Sequence, residues 1–187
     1  GYVLALQGAF SLSILSATLL GTALLAASGS VINAMIDHRI DSYMDRTKKR
    51  PIPTGKISSL AALGFAILMG LMGFCLLWHV VNPLVACTAL FGNAFYVICY
   101  SLILTHRITQ NIVIGGAEGS DGSLIVWAED SGQFAAPAWI LFAIIFFWTP
   151  PHFWALALHY KDDYAKAKVP MLPVVKGDHV TKKQMLL

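Results

Sequence analysis

Charged residues are scarce in this sequence: Asp, Glu, Lys and Arg make up 12% of its 187 residues, whereas apolar residues make up 57%. A soluble domain usually carries about 25% charged residues, so the composition argues against a soluble protein, and we expect no nucleic-acid partner. Cysteine is also rare. The spacing of Cys75, Cys87 and Cys99 fits neither a disulfide framework nor a metal site. We expect all three to be buried packing residues.

Long apolar runs occupy most of the chain. They predict an all-α fold, a polytopic transmembrane helix bundle around a central cavity, because most of them approach the roughly 20 residues that cross a bilayer. The predicted spans are Ser13–Met35, Leu60–Val81, Leu84–Thr105, Ile112–Trp127 and Pro137–His159. Ile112–Trp127 is the weakest of them, because it is short and contains Glu118 and Asp121.

The two ends of the sequence suggest a fragment. Gly1–Leu6 resembles the tail of an earlier span, and the chain stops at Leu187 just as a new apolar stretch begins. We therefore expect residues 1–187 to be a single transmembrane domain, truncated at both ends.

Lys and Arg occur only in alternate connections. They cluster between Arg39 and Lys56, at Arg107, and between Lys161 and Lys183, whereas the connections at 79–83 and 129–137 contain none. If every span crosses the bilayer, all of them lie on one face, and the positive-inside rule makes that face cytoplasmic.

The first candidate site follows the second span, counting Gly1–Leu6 as part of the first. Asn33, Asp37, Asp41 and Asp45 recur every four residues, so on a helix they share one face. Closely spaced carboxylates need a compensating cation, and oxygen ligands suit Mg²⁺.

Basic residues come directly after these acids, in the run Arg46-Thr-Lys-Lys49-Arg50-Pro51. Arginine can bind phosphate oxygens with two hydrogen bonds at once, and lysine adds a point charge. Acids for a metal and bases for phosphate beside an apolar bundle indicate a lipid diphosphate site. A solvated charged loop is the alternative, but it accounts poorly for Asn33 and Asp37, because acids at membrane depth are costly.

The second candidate site follows the last predicted span, where Lys161, Asp162 and Asp163 follow the run Trp148–Tyr160. Two helix ends that carry carboxylates could hold two Mg²⁺ ions across one diphosphate. For Lys161 and Asp162, a plain interfacial role is an equally good interpretation.

These motifs resemble the UbiA-type intramembrane prenyltransferases. Asn-x-x-x-Asp-x-x-x-Asp followed by Arg-Thr-x-x-Arg-Pro is similar to their first aspartate-rich motif. Met44–Pro51 and the stretches Trp-Thr-Pro-Pro-His-Phe-Trp-Ala-Leu-Ala and Pro-Met-Leu-Pro-Val-Val resemble the heme O synthase branch. The chain departs from that branch at Thr105-His106 and between Ala117 and Ala128, where Glu118 and Asp121 replace small or apolar residues.

The resemblance implies a Mg²⁺-dependent prenyltransferase of the bacterial inner membrane, with nine spans and a cytoplasmic active site. It implies farnesyl diphosphate and heme B as substrates and heme O as the product. By resemblance Asn33, Asp37 and Asp41 bind the metal, together with Asp162 and Asp163 of the second site. The expected catalytic residues are Asp37, Asp41 and Asp163, and the expected diphosphate-binding residues are Arg46, Lys49, Arg50 and Lys161.

His152 is the candidate heme residue, because neutral imidazole is a common iron ligand. We expect Pro150-Pro151 to hold a helix start there and to aim the ring inward. A core histidine is the alternative.

Two other functions remain open. A UbiA-type enzyme that prenylates an aromatic acceptor would share the first site, but should carry Asp-x-x-x-Asp in the second, where this chain has Asp163 and Ala167. A transporter could place acids such as Glu118 and Asp121 within the membrane, and it should then contain broken helices.

Overall fold

The computed structural model describes residues 11–105, 107–131 and 134–186, and the regular elements in these ranges are all helices. The elements are α1 (Leu12–Ile36), α2 (His38–Asp41), α3 (Ser59–Leu76), α4 (Pro83–Phe95), α5 (Asn111–Ser120), α6 (Gly122–Ser131), α7 (Ala136–His159), α8 (Lys161–Lys166), α9 (Leu172–Val175) and α10 (Gly177–Met185). Helices α3 and α4 continue without a break as π-helical segments, Leu77–Val81 and Tyr96–Leu104. The predicted tail at Gly1–Leu6 lies outside the described residues.

Four of these helices are long and apolar enough to cross a membrane: Leu12–Ile36, Ser59–Val81, Pro83–Leu104 and Ala136–His159. They confirm four of the predicted spans to within a few residues. Polar caps set their starts, since Ser58 accepts a hydrogen bond from the backbone of Ala61 and Asn82 from that of Val85. Long apolar runs predict these helices well, because a chain in lipid must form its backbone hydrogen bonds internally and therefore becomes helical.

The fifth predicted span, Ile112–Trp127, corresponds to two shorter helices. Helix α5 ends at Ser120 and α6 begins at Gly122, so the break falls at Asp121. A Cβ added to Gly92 of α4 would collide with the Asp121 carboxylate. The absence of a side chain at Gly92 is therefore what lets this acid lie against α4.

Helices α1 and α3 approach each other closely through glycine. A Cβ added to Gly73 would lie 2.7 Å from the carbonyl oxygen of Gly21. Small residues at such crossings allow backbone-to-backbone packing in membrane bundles. A buried apolar cluster fills the space beside this crossing: Leu25, Leu77, Val85, Ala86, Ala89, Ile125 and Ala128.

Helix α7 continues without interruption through Pro150 and Pro151. The expectation that these prolines hold a helix start before His152 is therefore wrong. Each proline removes one backbone N–H, and transmembrane helices tolerate this because neighbouring groups can satisfy the freed carbonyls.

The cysteines also differ from the expectation. Cys75 and Cys87 are exposed and Cys99 is half-buried, so the prediction that all three are buried is wrong. A transmembrane helix can point apolar side chains outward at lipid, so an apolar run does not by itself imply burial.

The chain after α7 folds back beneath the bundle, at the end where α1 and α7 stop and α3 begins. We call this the charged end. Helix α8 terminates in a left-handed turn at Lys168 (φ 55°), where Lys168 N–H bonds to Ala165 O and Val169 N–H to Tyr164 O. This pair of bonds is a Schellman motif. It directs Val169 into a buried cluster with Ile112, Trp154, Met171 and Leu172.

Candidate functional site

The end of α1 positions the first group of site residues. The backbone N–H of Asp37 still bonds to Asn33 O (2.9 Å), so the chain stays helical past Ile36. The Asn33 amide donates to Oδ2 of Asp37 (2.9 Å) and to Oγ of Ser101 (3.0 Å). Asn33 thus ties the first acid of the motif to α4's π-helical extension.

Asp41 is buried, with 4% of its surface exposed. Its Oδ2 accepts a hydrogen bond from Arg50 Nη1 at 2.8 Å, and its backbone carbonyl accepts one from the Thr47 hydroxyl at 3.0 Å. These two contacts fold the loop after α2 back onto the acid. A buried carboxylate needs such a partner, and here Arg50 supplies it.

The second group of site residues lies against the first. Oδ2 of Asp163 accepts a hydrogen bond from the backbone N–H of Arg46 (3.4 Å), and Lys166 Nζ lies 3.0 Å from Asp45 Oδ2 and 3.6 Å from Asp163 Oδ1. The Arg46 guanidinium also lies 5.5 Å from the centre of the Tyr160 ring. The two motifs, far apart in sequence, therefore meet at the charged end.

A polar cavity of about 150 Å³ lies between these groups. Its walls are Asn33, Asp37, Ile40, Asp41, Met44, Arg46, Arg50, Tyr96, Tyr100, Thr105, Tyr164, Val169 and Met171. Five of the predicted site residues, Asn33, Asp37, Asp41, Arg46 and Arg50, line it. Asp163 contacts the backbone of one wall residue, Arg46.

Besides Asp163 and His152, three further predicted residues do not line this cavity. Lys49 and Asp162 are exposed, and Lys161 pairs with Asp178 at 2.7 Å. That pair explains the low pKa of Asp178, since a hydrogen bond from Lys161 favours the ionised carboxylate.

Tyr96, Tyr100 and Tyr164 line the cavity, although no sequence pattern identified them as site residues. The rings of Tyr96 and Tyr100 stack with their centres 5.5 Å apart. Burial raises the pKa of Tyr164, and the neighbouring Arg46 opposes that rise. Tyr164 therefore remains a neutral phenol that can hydrogen-bond to phosphate oxygens.

Asp45, the fourth acid of the periodic stripe, belongs to the surface and not to the cavity. Hydrogen bonds from Lys48 and Lys166 lower its pKa to about 2. The stripe therefore divides into two parts: Asp37 and Asp41 face the cavity, and Asp45 links the two motifs on the outside.

An apolar cavity of about 320 Å³ adjoins the polar one. It lies between α4's extension, α5 and α7 and is lined by Tyr96, Tyr100, Ile112, Gly115, Gly116, Gly119, Ile145, Trp148, Thr149 and Phe153. Tyr96 and Tyr100 form walls of both cavities. Together the two cavities could hold one ligand that has a charged part and an apolar part.

His152 is exposed and lies outside this apolar cavity. Its ring stacks on Trp148, with centres 4.4 Å apart, and meets Phe153 edge to face. Because Trp148 lines the apolar cavity, His152 lies at the rim, and the expectation that its ring points inward is wrong.

The donor set around the polar cavity fits a hard cation. The possible metal ligands here are the side-chain oxygens of Asn33, Asp37, Asp41 and Asp163. Oxygen is the ligand type that Mg²⁺ prefers. Within the described ranges, no three His, Cys, Asp or Glu side chains come close enough to form a metal site by themselves. Other ligands, such as phosphate oxygens or water, would have to complete a coordination shell.

The comparisons with known proteins agree with this geometry. The sequence profile of the UbiA prenyltransferase family matches residues 1–187. A protoheme IX farnesyltransferase from Picosynechococcus sp. is 54% identical over 90% of this chain and 53% of its own length. One from Synechococcus elongatus is 48% identical over 100% of this chain and 58% of its own length. The chain thus spans little more than half the length of these curated relatives.

The fold has a solved counterpart. The structure of a UbiA homologue from Archaeoglobus fulgidus, bound to GPP and Mg²⁺, superposes with a TM-score of 0.73 at 21% sequence identity, over 94% of this chain and 62% of the other. The family profile matches the whole length of this chain, and the polar cavity at one end of the transmembrane bundle agrees with that match. The chain therefore belongs to the UbiA prenyltransferase family.

Proposed function

We propose that the complete protein transfers the farnesyl group of farnesyl diphosphate to a vinyl group of heme B and so forms heme O. The observation that carries this proposal is the pair of adjoining cavities, one polar and one apolar, that share Tyr96 and Tyr100. The names of the relatives at 48–54% identity support heme as the acceptor.

The diphosphate binds in the polar cavity. Arg46 and Arg50 line it and supply guanidinium groups, which pair well with phosphate oxygens. Tyr164 adds a neutral phenol. Lys49 and Lys161 lie farther out, where they raise the local positive potential and attract the anion before it binds.

Asn33, Asp37, Asp41 and Asp163 would hold Mg²⁺, which would neutralise charge on the leaving diphosphate. Asp162 is exposed and has the weakest case as a ligand. Asp37 belongs to the first motif and Asp163 to the second, so both motifs would contribute metal ligands. We propose Asp37, Asp41 and Asp163 as the residues most important for catalysis.

The isoprenoid chain occupies the apolar cavity. Its walls exclude water, which would otherwise quench an allylic cation. The C1–O bond breaks and diphosphate leaves with the electron pair. The π electrons of the heme vinyl group then form the new bond to C1. Water adds to the resulting cation and loses a proton, which leaves a hydroxyethylfarnesyl side chain.

His152 remains a candidate heme residue at the rim of the apolar cavity. Its imidazole is exposed and supported by Trp148, so a porphyrin lying over the rim could reach it.

The protein is an integral membrane protein with four apolar spans in the described part. We propose that it lies in a bacterial inner membrane with the charged end in the cytoplasm. The support is the segregation of Lys and Arg into alternate connections.

An acceptor-competition experiment tests the function. The purified complete protein is given farnesyl diphosphate and Mg²⁺ with heme B and 4-hydroxybenzoate together, and the products are identified by mass spectrometry. We expect heme O and no prenylated benzoate. Prenylated benzoate without heme O would contradict the heme assignment. If neither product forms, the prenyltransferase assignment for this protein is contradicted.

A further inference from the structure

Another cavity lies between α1, α3 and the loop that joins them, and the proposed reaction does not use it. We call it the outer groove. It has a volume of about 540 Å³ and is lined by Ser30, Val31, Ala34, Arg50, Pro51, Ile52, Ile57, Ala61, Ala62 and Phe65. Arg50 is the only charged residue among these, and almost all the other walls are apolar.

One cation lines this groove, and two more are adjacent in the chain to wall residues. Arg50 lines it, Lys49 precedes Arg50 in the chain, and Lys56 precedes the wall residue Ile57. Lys49 and Lys56 are exposed. Within the described residues neither of them forms an ion pair, because the nearest acid in sequence, Asp45, is held by Lys48 and Lys166. Their charges are therefore free to attract an anion.

The groove runs from the loop that contains Arg50 and Ile57 along α3, toward the membrane interior. Ile57 precedes the start of α3, and Ala61 and Phe65 follow at one-turn intervals along it. Cations at the surface and an apolar channel below match the two parts of a phospholipid, a phosphate headgroup and an acyl chain. From this charge complementarity, we propose that the outer groove binds an anionic phospholipid from the leaflet at the charged end.

A prenyl diphosphate fits the groove less well. A diphosphate carries more charge than a phosphodiester and is usually bound with Mg²⁺. Among the residues that the structure describes, no acid lines the outer groove, whereas the polar cavity has Asp37 and Asp41. Lysines and one arginine without a metal suit a singly charged phosphodiester.

Arg50 belongs to both sites. It lines the polar cavity and the outer groove, and its Nη1 is bound to Asp41 at 2.8 Å while 43% of its side chain is exposed. A lipid phosphate on the groove side would therefore contact a guanidinium that also fixes Asp41.

Binding is measured independently of enzyme activity, on the purified complete protein in nanodiscs. Each disc contains phosphatidylcholine with either phosphatidylglycerol or more phosphatidylcholine of the same acyl chains. A photoactivatable acyl chain on the phosphatidylglycerol probe identifies contacts by mass spectrometry. We expect crosslinks to the Ile57–Phe65 peptide and a higher melting temperature with phosphatidylglycerol, because a ligand of the folded state stabilises it.

Two pairs of variants localise the effect. Ala61→Phe fills the groove and should remove the crosslinks, whereas Leu60→Phe adds an aromatic ring at an exposed position that does not line it. Lys56→Gln should weaken the preference for phosphatidylglycerol, whereas Lys183→Gln neutralises an exposed lysine of α10 and should not. Lys56→Gln is a surface change, so it remains informative if Ala61→Phe fails to fold.

Three outcomes would overturn the proposal. Equal stabilisation by the two lipids would show that the cations do not select a headgroup. Crosslinks absent from Ile57–Phe65 in the wild type would show that the groove is covered. Displacement of the probe by farnesyl diphosphate in the absence of Mg²⁺ would assign the groove to the isoprenoid. None of these results depends on whether heme is the acceptor.

Discussion

The backbone N–H of Arg46 donates a hydrogen bond to Oδ2 of Asp163, 117 positions away in the chain, at a distance of 3.4 Å. This contact joins the loop after α2 to helix α8. It places a basic residue of one motif beside an acid of the other, so a ligand in the polar cavity is enclosed by both.

The acids of the stripe should differ sharply in function. Asp37→Asn should lower farnesyl transfer by at least about 100-fold, the size of effect seen when one preorganised electrostatic group is lost. The matched control is Asp45→Asn, an exposed acid outside the cavity, which should retain most activity. Rates are measured with labelled farnesyl diphosphate. Equal activity in both variants would contradict the assignment of Asp37.

The adjacent acids Asp162 and Asp163 offer a second comparison. Asp163 has a side chain only 12% exposed and lies beside Arg46, whereas Asp162 is exposed. Asp163→Asn should therefore reduce transfer and shift its Mg²⁺ dependence to higher concentration, and Asp162→Asn should do neither. The transfer rate of each variant is measured over a range of Mg²⁺ concentrations. A larger loss in Asp162→Asn than in Asp163→Asn would exchange the roles of the two acids.

The α1–α3 crossing predicts a stability effect. Gly73→Ala should destabilise the protein by about 1–3 kcal/mol, the usual cost of overpacking, because the new methyl group would lie 2.7 Å from a backbone carbonyl. Gly64 of the same helix has no atom within 4 Å of an added Cβ, so Gly64→Ala should be neutral or slightly stabilising. Unfolding in mixed detergent micelles measures both, and similar values would argue against close packing at Gly73.

His152 can be tested by absorption spectroscopy. If it contacts heme, His152→Ala should change the heme spectrum of the complete protein and leave farnesyl diphosphate binding unchanged, because the proposed diphosphate site at Arg46 and Arg50 lies elsewhere. His159→Ala is the control, since His159 is an exposed histidine at the end of the same helix. An unaltered spectrum in His152→Ala would remove this residue from the acceptor site.

Membrane orientation can be tested by labelling single cysteines after removal of Cys75, Cys87 and Cys99. Cysteines in place of Lys48, Arg107 or Lys176 should react only from the cytoplasm, and one in place of Val80 should react only from outside. Impermeant maleimides applied to intact cells and to inverted vesicles distinguish the two sides. Reaction of the Lys48 position in intact cells would reverse the proposed orientation.

The sequence predicted the long helices and the charged or amide residues that line the polar cavity, Asn33, Asp37, Asp41, Arg46 and Arg50. Spans such as Leu12–Ile36 were predictable because membrane thickness fixes the length of an apolar run. Asp37 and Asp41 were identifiable because charged residues that end such a run are costly unless they have a function.

Other features depend on contacts between distant segments and leave no local signal. Tyr96 and Tyr100 lie within an apolar run, where a tyrosine facing a cavity looks the same as one facing lipid. The Lys161–Asp178 pair depends on how the chain turns after α8. The break at Asp121 was one feature expected of a transporter, but it occurs here in a member of the UbiA prenyltransferase family.

The π-helical segment Tyr96–Leu104 makes the site sensitive to the number of residues in α4. The backbone N–H of Thr105 bonds to Tyr100 O, five residues back, so this segment contains more residues per turn than an α-helix. If the winding stayed the same, deletion of one residue here would rotate the flanking positions relative to each other by one residue's turn, which is about 100° in an α-helix and less in a π-helix. Hydropathy and span length would barely change, yet Ser101 could no longer meet Asn33 while Tyr96 and Tyr100 face the cavities. The site therefore depends on the helical phase of this span as well as on its residues. A one-residue insertion or deletion here would disturb the site more than most substitutions.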